Sequence, residues 1–307
     1  MKIVIAAGTG FLGRNLEKYF REKGHQVYIL TRNPKRKNEI HWDAESLGEW
    51  KTWLEDADVL INLAGRSVDC RYTEQNKKEI YSSRIYSTRV LQQAVGHCIS
   101  KPKIWLNASS ATIYIHSERH QNTEENGIIG DDFSMNICKS WEEEFFKTSI
   151  EEVRKIALRT SIVLGNSAGA FPKLRMITKL GLGGRQGNGN QKVSWIHIDD
   201  FCKAVEWIID HELISGVVNI TAPDPLSNED FMRKLRKKLH IPFGLNAPVW
   251  QLEIASILLG TETELLLKSR NVYPEKLIRS GFRFSFPDID SAFRNLLRKK
   301  QQFGSGL

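Results

Sequence analysis

Cysteine is scarce in this chain: Cys70, Cys98, Cys138 and Cys202 are scattered through 307 residues with no CxxC pair. That spacing excludes a zinc-ligand set and a disulfide framework, and points to reduced thiols in a cytoplasm. No apolar run approaches the roughly 18 residues of a membrane span. Met1-Lys2 leads straight into Ile3-Val4-Ile5-Ala6-Ala7 and a glycine, too short a stretch for the apolar region of a secretory signal. There is no internal repeat. The basic clusters Lys35-Arg36-Lys37, Lys234 to Lys238 and Arg298-Lys299-Lys300 lack interleaved aromatics, so the net charge of +8 reads as dispersed and suited to anionic small ligands, with neither nucleic acid nor membrane as a partner.

What is present is globular: 41% hydrophobic and 26% charged residues, enough to bury a large core. Short apolar runs at 2–7, 26–31, 57–64, 103–109 and 153–164 alternate with helical stretches, 13–23 and roughly 73–97 among them. Such alternation predicts right-handed crossovers and a doubly wound parallel α/β sheet covered on both faces. The texture changes after Gly165. Residues 181–190 hold five glycines in ten positions, a loop beside the substrate that either closes or is mobile. Strand-like 193–198 and 216–221 follow, with a helix over 199–210 between them and a basic, helical remainder. The expected division is a Rossmann domain over 1–165, with 195–221 returning to it, and a smaller C-terminal α/β substrate lobe over 166–307. The terminal Phe303-Gly-Ser-Gly-Leu carries no argument.

Gly8-Thr9-Gly10-Phe11-Leu12-Gly13 fits G-x-G-x-x-G between an apolar strand and an amphipathic helix. The expected roles are a tight turn at Gly8, with Ala7 before it tightening that turn, close pyrophosphate approach at Gly10 and helix–sheet packing at Gly13, with the phosphates on the helix N-terminus. The next strand ends in Tyr28-Ile29-Leu30-Thr31-Arg32-Asn33, with no acidic residue to accept a ribose 2′-hydroxyl. Arg32, with Thr31 beside it, instead offers donors to a 2′-phosphate, so the cofactor expected is NADP(H). Leu63-Ala64-Gly65 falls where ligands gather in such sheets.

These residues resemble an atypical extended short-chain dehydrogenase/reductase of the NAD(P)-dependent epimerase/dehydratase family, in the SDR39U/YfcH-like group. The resemblance runs through AAGTGFLGRNL at 6–16, GHQVYILTRN at 24–33, HWD at 41–43, INLAG at 61–65, the block at 71–91, LRTSIVLG at 158–165 and SWIHIDD at 194–200. NVYPEKLIRSGFRFSFPDI at 271–289 resembles the group's C-terminal module, expected over about 248–298. The resemblance implies NADP contacts at Thr31, Arg32, Leu63, Ala64, Glu79, Arg84 and Val163.

Extended members use a Ser or Thr with Y-x-x-x-K, the lysine helping a tyrosine of ordinary pKa near ~10 to act as acid or base. Ser109-Ser110-Ala111-Thr112-Ile113-Tyr114 resembles the serine segment, with Ser110 in the catalytic position. Met135 stands where the tyrosine is expected and Lys139 where the lysine is. A thioether transfers no proton, and the atypical group shares this departure. Tyr114 is the candidate replacement acid, but a packed aromatic beneath the cleft is the preferred reading of it. His197, Asp199 and Asp200 read as structural, the carboxylates as helix caps. The function expected is an NADP-dependent oxidoreductase or nucleotide-sugar epimerase-like enzyme on a small-molecule substrate. The alternative is a non-catalytic NADP(H) sensor linked to cell division. A homodimer is compatible with either.

Overall fold

The computed structural model describes residues 1–259, 262 and 264–298. Lys299, Lys300 and the terminal Phe303-Gly-Ser-Gly-Leu lie outside the described residues. In chain order come β1 (Lys2–Ala6), α1 (Phe11–Glu22), β2 (Gln26–Thr31), β3 (Glu39–His41), a 3-10 turn (Glu49–Leu54), β4 (Val59–Asn62), α2 (Glu74–His97) and β5 (Ile104–Ser110). A 3-10 turn (Ala111–Ile113), α3 (Phe133–Phe146), β6 (Arg154–Thr160), β7 (Ile162–Leu164), α4 (Ala170–Ile177) and a π-helical turn (Thr178–Leu182) follow. Then come β8 (Lys192–Val193), β9 (Trp195–His197), α5 (Ile198–Asp210), β10 (Gly216–Ile220), β11 (Leu226–Ser227), α6 (Asn228–Leu239), α7 (Val249–Leu259), α8 (Glu264–Leu267), α9 (Glu275–Arg279) and α10 (Ile289–Arg298).

Seven strands form one sheet in the order β10-β6-β5-β4-β1-β2-β3, every pairing parallel. This is the doubly wound Rossmann arrangement. Its strands are apolar on both faces because both faces are covered: Ile3 and Ile5 pack with Leu16, Phe20 and the α5 residues Phe201 and Val205. Val4 and Ala6, one residue out of phase, pack with Val90, Leu91 and Trp105 on the other side. A third core joins Phe171, Phe231, Leu235 and Phe293 from α4, α6 and α10. The expected strand over 153–164 is two strands. Ser161 still donates to Ile220 (3.1 Å), but Ile162 donates to Ser194 (3.3 Å), and β7 pairs with β9 outside the main sheet.

The order of the strands reverses between β1 and β4, which leaves a crevice at their C-terminal ends. Buried amides shape that edge: Asn62 donates to Asn107 Oδ1 (2.7 Å) and accepts from the Ala64 amide (3.0 Å). Among the described residues no helix is long and apolar enough to cross a membrane. Cys98, Cys138 and Cys202 are buried and all four cysteines are free. Burial pushes the Cys98 thiol up to about 11 and the Cys138 thiol up to about 12, which leaves them unreactive.

Candidate functional site

The turn from β1 into α1 divides its work differently from the sequence expectation. The left-handed residue is Ala7 (φ 54°), whose amide donates to Leu30 (2.8 Å). Gly8 is the close-packing position: a Cβ there would lie 2.7 Å from Ile29 Cδ1 and 2.9 Å from Ile5 Cγ2. A Cβ at Gly13 would lie 2.3 Å from the Gly8 carbonyl oxygen, so only glycine lets α1 approach the turn. At Gly10 nothing lies within 4 Å of that position. The helix N-terminus therefore opens onto free space, with unpaired amides and the positive end of the helix dipole facing it. An unobstructed helix start of this kind suits the pyrophosphate of a dinucleotide.

A cavity of ≈ 950 Å³ begins there. Ala7 and Thr9 line its floor, Thr31, Arg32, Asn33 and Lys35 its β2 end, and Ala64 and Gly65 its β4 end. Arg32 is exposed, and among the described residues no carboxylate pairs with it. Glu39, buried in the same wall, accepts from Arg14 Nη2 (2.6 Å) and from the Lys35 amide (2.6 Å). Burial pushes the Glu39 carboxyl upward, but these donors outweigh it and hold it below the usual carboxylate range. Phe11 packs against the far side, where Gly165 and Gly169 leave room for its ring beside the Val163 carbonyl.

Helix α2 supplies the opposite wall through Glu79, Ser82, Ser83 and Tyr86. These residues stand at i, i+3, i+4 and i+7, one face of a helix. Only Glu79 of that face was expected; the polar stripe itself was the signal. Glu79 pairs with Arg66 and accepts from Gln75 (2.5 Å). Arg84 lies behind the wall. Its Nη1 donates to the carbonyls of Ile80 (2.8 Å) and Arg66 (3.1 Å), and its guanidinium stacks on Trp141 at 5.0 Å. A Cβ on Gly65 would sit 3.2 Å from the Arg84 Cζ, so Arg84 props the 63–66 segment from beneath.

Ser110 ends β5 half-buried, donating to Thr112 Oγ1 (3.0 Å). Lys139 is half-buried one helical turn after Met135 on α3, on the same face. Met135 is buried, its sulfur packed over Gly130. The expectation that Tyr114 replaces the missing acid is corrected here. Tyr114 is fully buried; its hydroxyl donates to Asn219 Oδ1 (2.9 Å) and accepts from Arg159 Nη1 (2.8 Å). Arg159 in turn pairs with Glu142 (2.7 Å), which also accepts from Ser109 (2.5 Å). Burial raises the Tyr114 pKa further, and the ring is a strut beneath the cleft.

The sequence matches the NAD dependent epimerase/dehydratase family over residues 3–221, and a domain of unknown function, DUF1731, over residues 247–296. The chain belongs to that epimerase/dehydratase family. "Epimerase family protein YfhF" of Bacillus subtilis is 34% identical over 306 residues, covering 98% of this chain and 99% of its own. Mouse "Epimerase family protein SDR39U1" is 28% identical, with 97% and 100% covered. The crystal structure of human epimerase family protein SDR39U1 with NADPH superposes with a TM-score of 0.88 at 28% identity, covering 97% of this chain and 99% of that one.

In this family member the C-terminal segment is latched to the sheet domain by two carboxylates. Asp200 accepts from the amides of Ser285 (2.9 Å) and Phe286 (2.8 Å). Glu124 accepts from those of Asn219 (2.9 Å) and Glu275 (3.1 Å). The N-cap of α5 is His197, whose Nδ1 accepts from the Asp199 amide (3.0 Å); the two aspartates expected as caps occupy the first turn. The glycine-rich 181–190 segment is tied down. Gln186 and Asn228 exchange hydrogen bonds (2.8 and 3.1 Å), and the amides of Gly184 and Gly187 donate to Leu245 (3.1 Å) and Ala247 (2.9 Å). Its glycines serve backbone geometry, with Gly181, Gly187 and Gly189 all at positive φ.

Proposed function

We propose that this chain binds NADP(H) in the ≈ 950 Å³ cavity and acts there as an oxidoreductase or epimerase-like enzyme on a small carbonyl or sugar-type substrate. One observation carries the cofactor reading: the β2 end of the cavity presents exposed Arg32 beside Thr31, while the buried carboxylate of that wall, Glu39, is occupied by Arg14 and the Lys35 amide. A 2′-phosphate thus meets donors at the tip of β2, where that strand offers a 2′-hydroxyl no carboxylate; the cavity's exposed carboxylates, Asp43 and Glu45, come after β3. The NADPH of the human SDR39U1 crystal structure supports the same choice.

Gly8 to Gly13 with the α1 N-terminus hold the pyrophosphate, Thr31 and Arg32 the 2′-phosphate, and Leu63, Ala64 and Glu79 the middle of the cofactor. Arg84 and Val163 keep the two ends of that wall in place. The bound nicotinamide supplies the hydride chemistry. On the substrate side the Ser110 hydroxyl polarises a carbonyl and Lys139 offers an ammonium. Met135 gives no proton and Tyr114 is sealed in the core, so an enzyme reading places the proton with the substrate's solvent or with Lys139. That same pair of facts favours the second reading, a non-catalytic NADP(H) sensor.

Calorimetry on nucleotide-stripped protein tests the first claim: NADPH is expected to bind more tightly than NADH, and no heat from either removes the proposal. Loss of NADPH absorbance with some member of a carbonyl library, sensitive to Ser110→Ala, separates enzyme from sensor.

A further inference from the structure

Exposed apolar side chains from α4, the π-helical turn and the loop after α6 meet in one surface, on segments rich in basic residues. Met176, Leu180 and Leu182, on α4 and the π-helical turn, are 58%, 68% and 51% exposed; Phe243 and Leu245, in the loop after α6, are 63% and 62% exposed. The two segments form one surface. The Leu245 amide donates to the Gly181 carbonyl (2.8 Å), and a Cβ on Gly181 would lie 3.0 Å from the Phe243 ring. Helix α7, which follows the Ala247 to Arg185 backbone hydrogen bond (2.9 Å), carries two more exposed apolar side chains one turn apart, Trp250 and Ile254, 59% and 52% exposed. Side chains this exposed stand out from the surface, where groove residues would be recessed.

The rim is cationic. Residues 173–185 and 236–252 contain Lys173, Arg175, Lys179, Arg185, Arg236, Lys237 and Lys238, and no Asp or Glu. Lys173 pairs with Asp69 (2.5 Å) and Lys238 with Asp290 (3.4 Å). Half-buried Arg236 donates to the Gly183 carbonyl and ties the two segments together; among the described residues no carboxylate lies within ion-pair distance of Arg175, Lys179, Arg185 or Lys237. The last turn of α6 favours cations for its own dipole, which accounts for Lys237 but not for Lys179 or Arg185. Acidic side chains border this face at exposed Glu253 on α7 and at exposed Glu229, which lies beside Arg185 across Gly189.

We propose that this face docks on an anionic phospholipid surface, its apolar side chains entering the headgroup boundary and its cations meeting the lipid charge. Protruding Leu, Phe and Trp side chains with a Lys/Arg rim are the chemistry of interfacial binding. Two-fold pairing with a second copy would set two cationic rims against each other. The absence of a crossing helix concerns spanning, and leaves surface docking open.

The full chain is to be floated with vesicles of phosphatidylcholine alone and of phosphatidylcholine with phosphatidylglycerol. Binding is expected only to the second, and is expected to fall as salt rises. Leu180→Ser with Phe243→Ser should weaken it about tenfold or more, and Lys179→Gln with Lys237→Gln likewise by about tenfold. Leu213→Ser and Ile99→Ser, at sites 99% and 95% exposed elsewhere, should leave it unchanged. No binding to the phosphatidylglycerol vesicles, equal binding to both kinds, or full binding by the Leu180/Phe243 variant overturns the proposal. So does a dimer in sedimentation that this variant abolishes, or capture of an acidic protein partner in place of lipid.

Discussion

Replacing Arg32 by alanine should separate two cofactors that differ by one phosphate. Arg32 is exposed at the rim, engages no carboxylate among the described residues, and stands beside Thr31 at the tip of β2. Two unit charges ~4 Å apart attract by about 4 kcal/mol at an effective dielectric of ~20, and solvent at this rim reduces that. Hydrogen bonds to charged groups contribute about 1.5–3 kcal/mol net. Lys35 and Arg14 in the same wall keep part of the attraction in the variant. A loss of about 2 kcal/mol for NADPH follows, about 30-fold in Kd. NADH, with nothing for the guanidinium to hold, should lose about twofold at most, through the general field alone. Titration calorimetry of both dinucleotides at two salt concentrations measures this. The NADPH penalty should shrink in high salt while the NADH value stays put. Parallel losses for the two cofactors would refute the 2′-phosphate assignment and leave Arg32 as a solvated surface residue.

The glycine turn offers a paired test. Gly10→Ala meets open space and should change stability by only about 0.5–1 kcal/mol while weakening dinucleotide binding. Gly13→Ala drives a Cβ to 2.3 Å from a backbone oxygen and should cost about 3 kcal/mol of stability; denaturant midpoints and calorimetry together distinguish them. Tyr114→Phe should cost about 1–2 kcal/mol, because Arg159 and Asn219 lose a partner, and should leave NADPH affinity unchanged. Acid titration tests the Arg14–Glu39 pair. The folded Glu39 carboxyl is held below its unfolded value, near ~4.3, so its stabilisation is complete above that pH and is lost as pH falls through the lowered folded value. Urea midpoints should drop on acidification, and Glu39→Gln should make that drop shallower.

The parallel sheet was legible because its signals are local. Gln26–Thr31 is a β-rich run bounded by turn residues, and it is β2 without a residue to spare. Helix α2 starts after Thr73, whose side chain accepts from the Asn76 amide, as a capping threonine would suggest. The misreading at 153–164 has a tertiary cause: the residues stay extended throughout, and only the change of partner from Ile220 to Ser194 divides them. The three-residue edge strand β3 is too short to leave a periodic signature. In the cavity, Arg14 went unnoticed because its meaning depends on Glu39, a residue 25 positions away that it meets only in the fold. Tyr114 is the converse case, where the preferred reading as a packed aromatic holds and the catalytic one does not. It has the chemistry of an acid four residues past Ser110, but the burial that disqualifies it is set by Arg159 and Asn219, from β6 and β10.

Ala7 is where a local rule and the fold disagree most usefully. A motif reading hands the tight turn to the first glycine of G-x-G-x-x-G, yet the residue at φ 54° is the alanine before it. Gly8 cannot be spared for that role because Ile5 and Ile29 occupy the space of any side chain there. The left-handed conformation costs an L-residue roughly 1–2 kcal/mol, and glycine gives back about 0.5–1 kcal/mol of that through the entropy it loses on folding. Ala7→Gly should therefore stabilise the protein by about 0.5–1 kcal/mol, a rise of about 1–3 °C in Tm for a chain of this size. The Ala7 to Leu30 hydrogen bond (2.8 Å) involves only backbone, so it survives the change, and dinucleotide affinity should hold. A fall in Tm would mean that the Ala7 methyl packs with the Val4 and Leu30 side of the sheet strongly enough to outweigh its strained backbone.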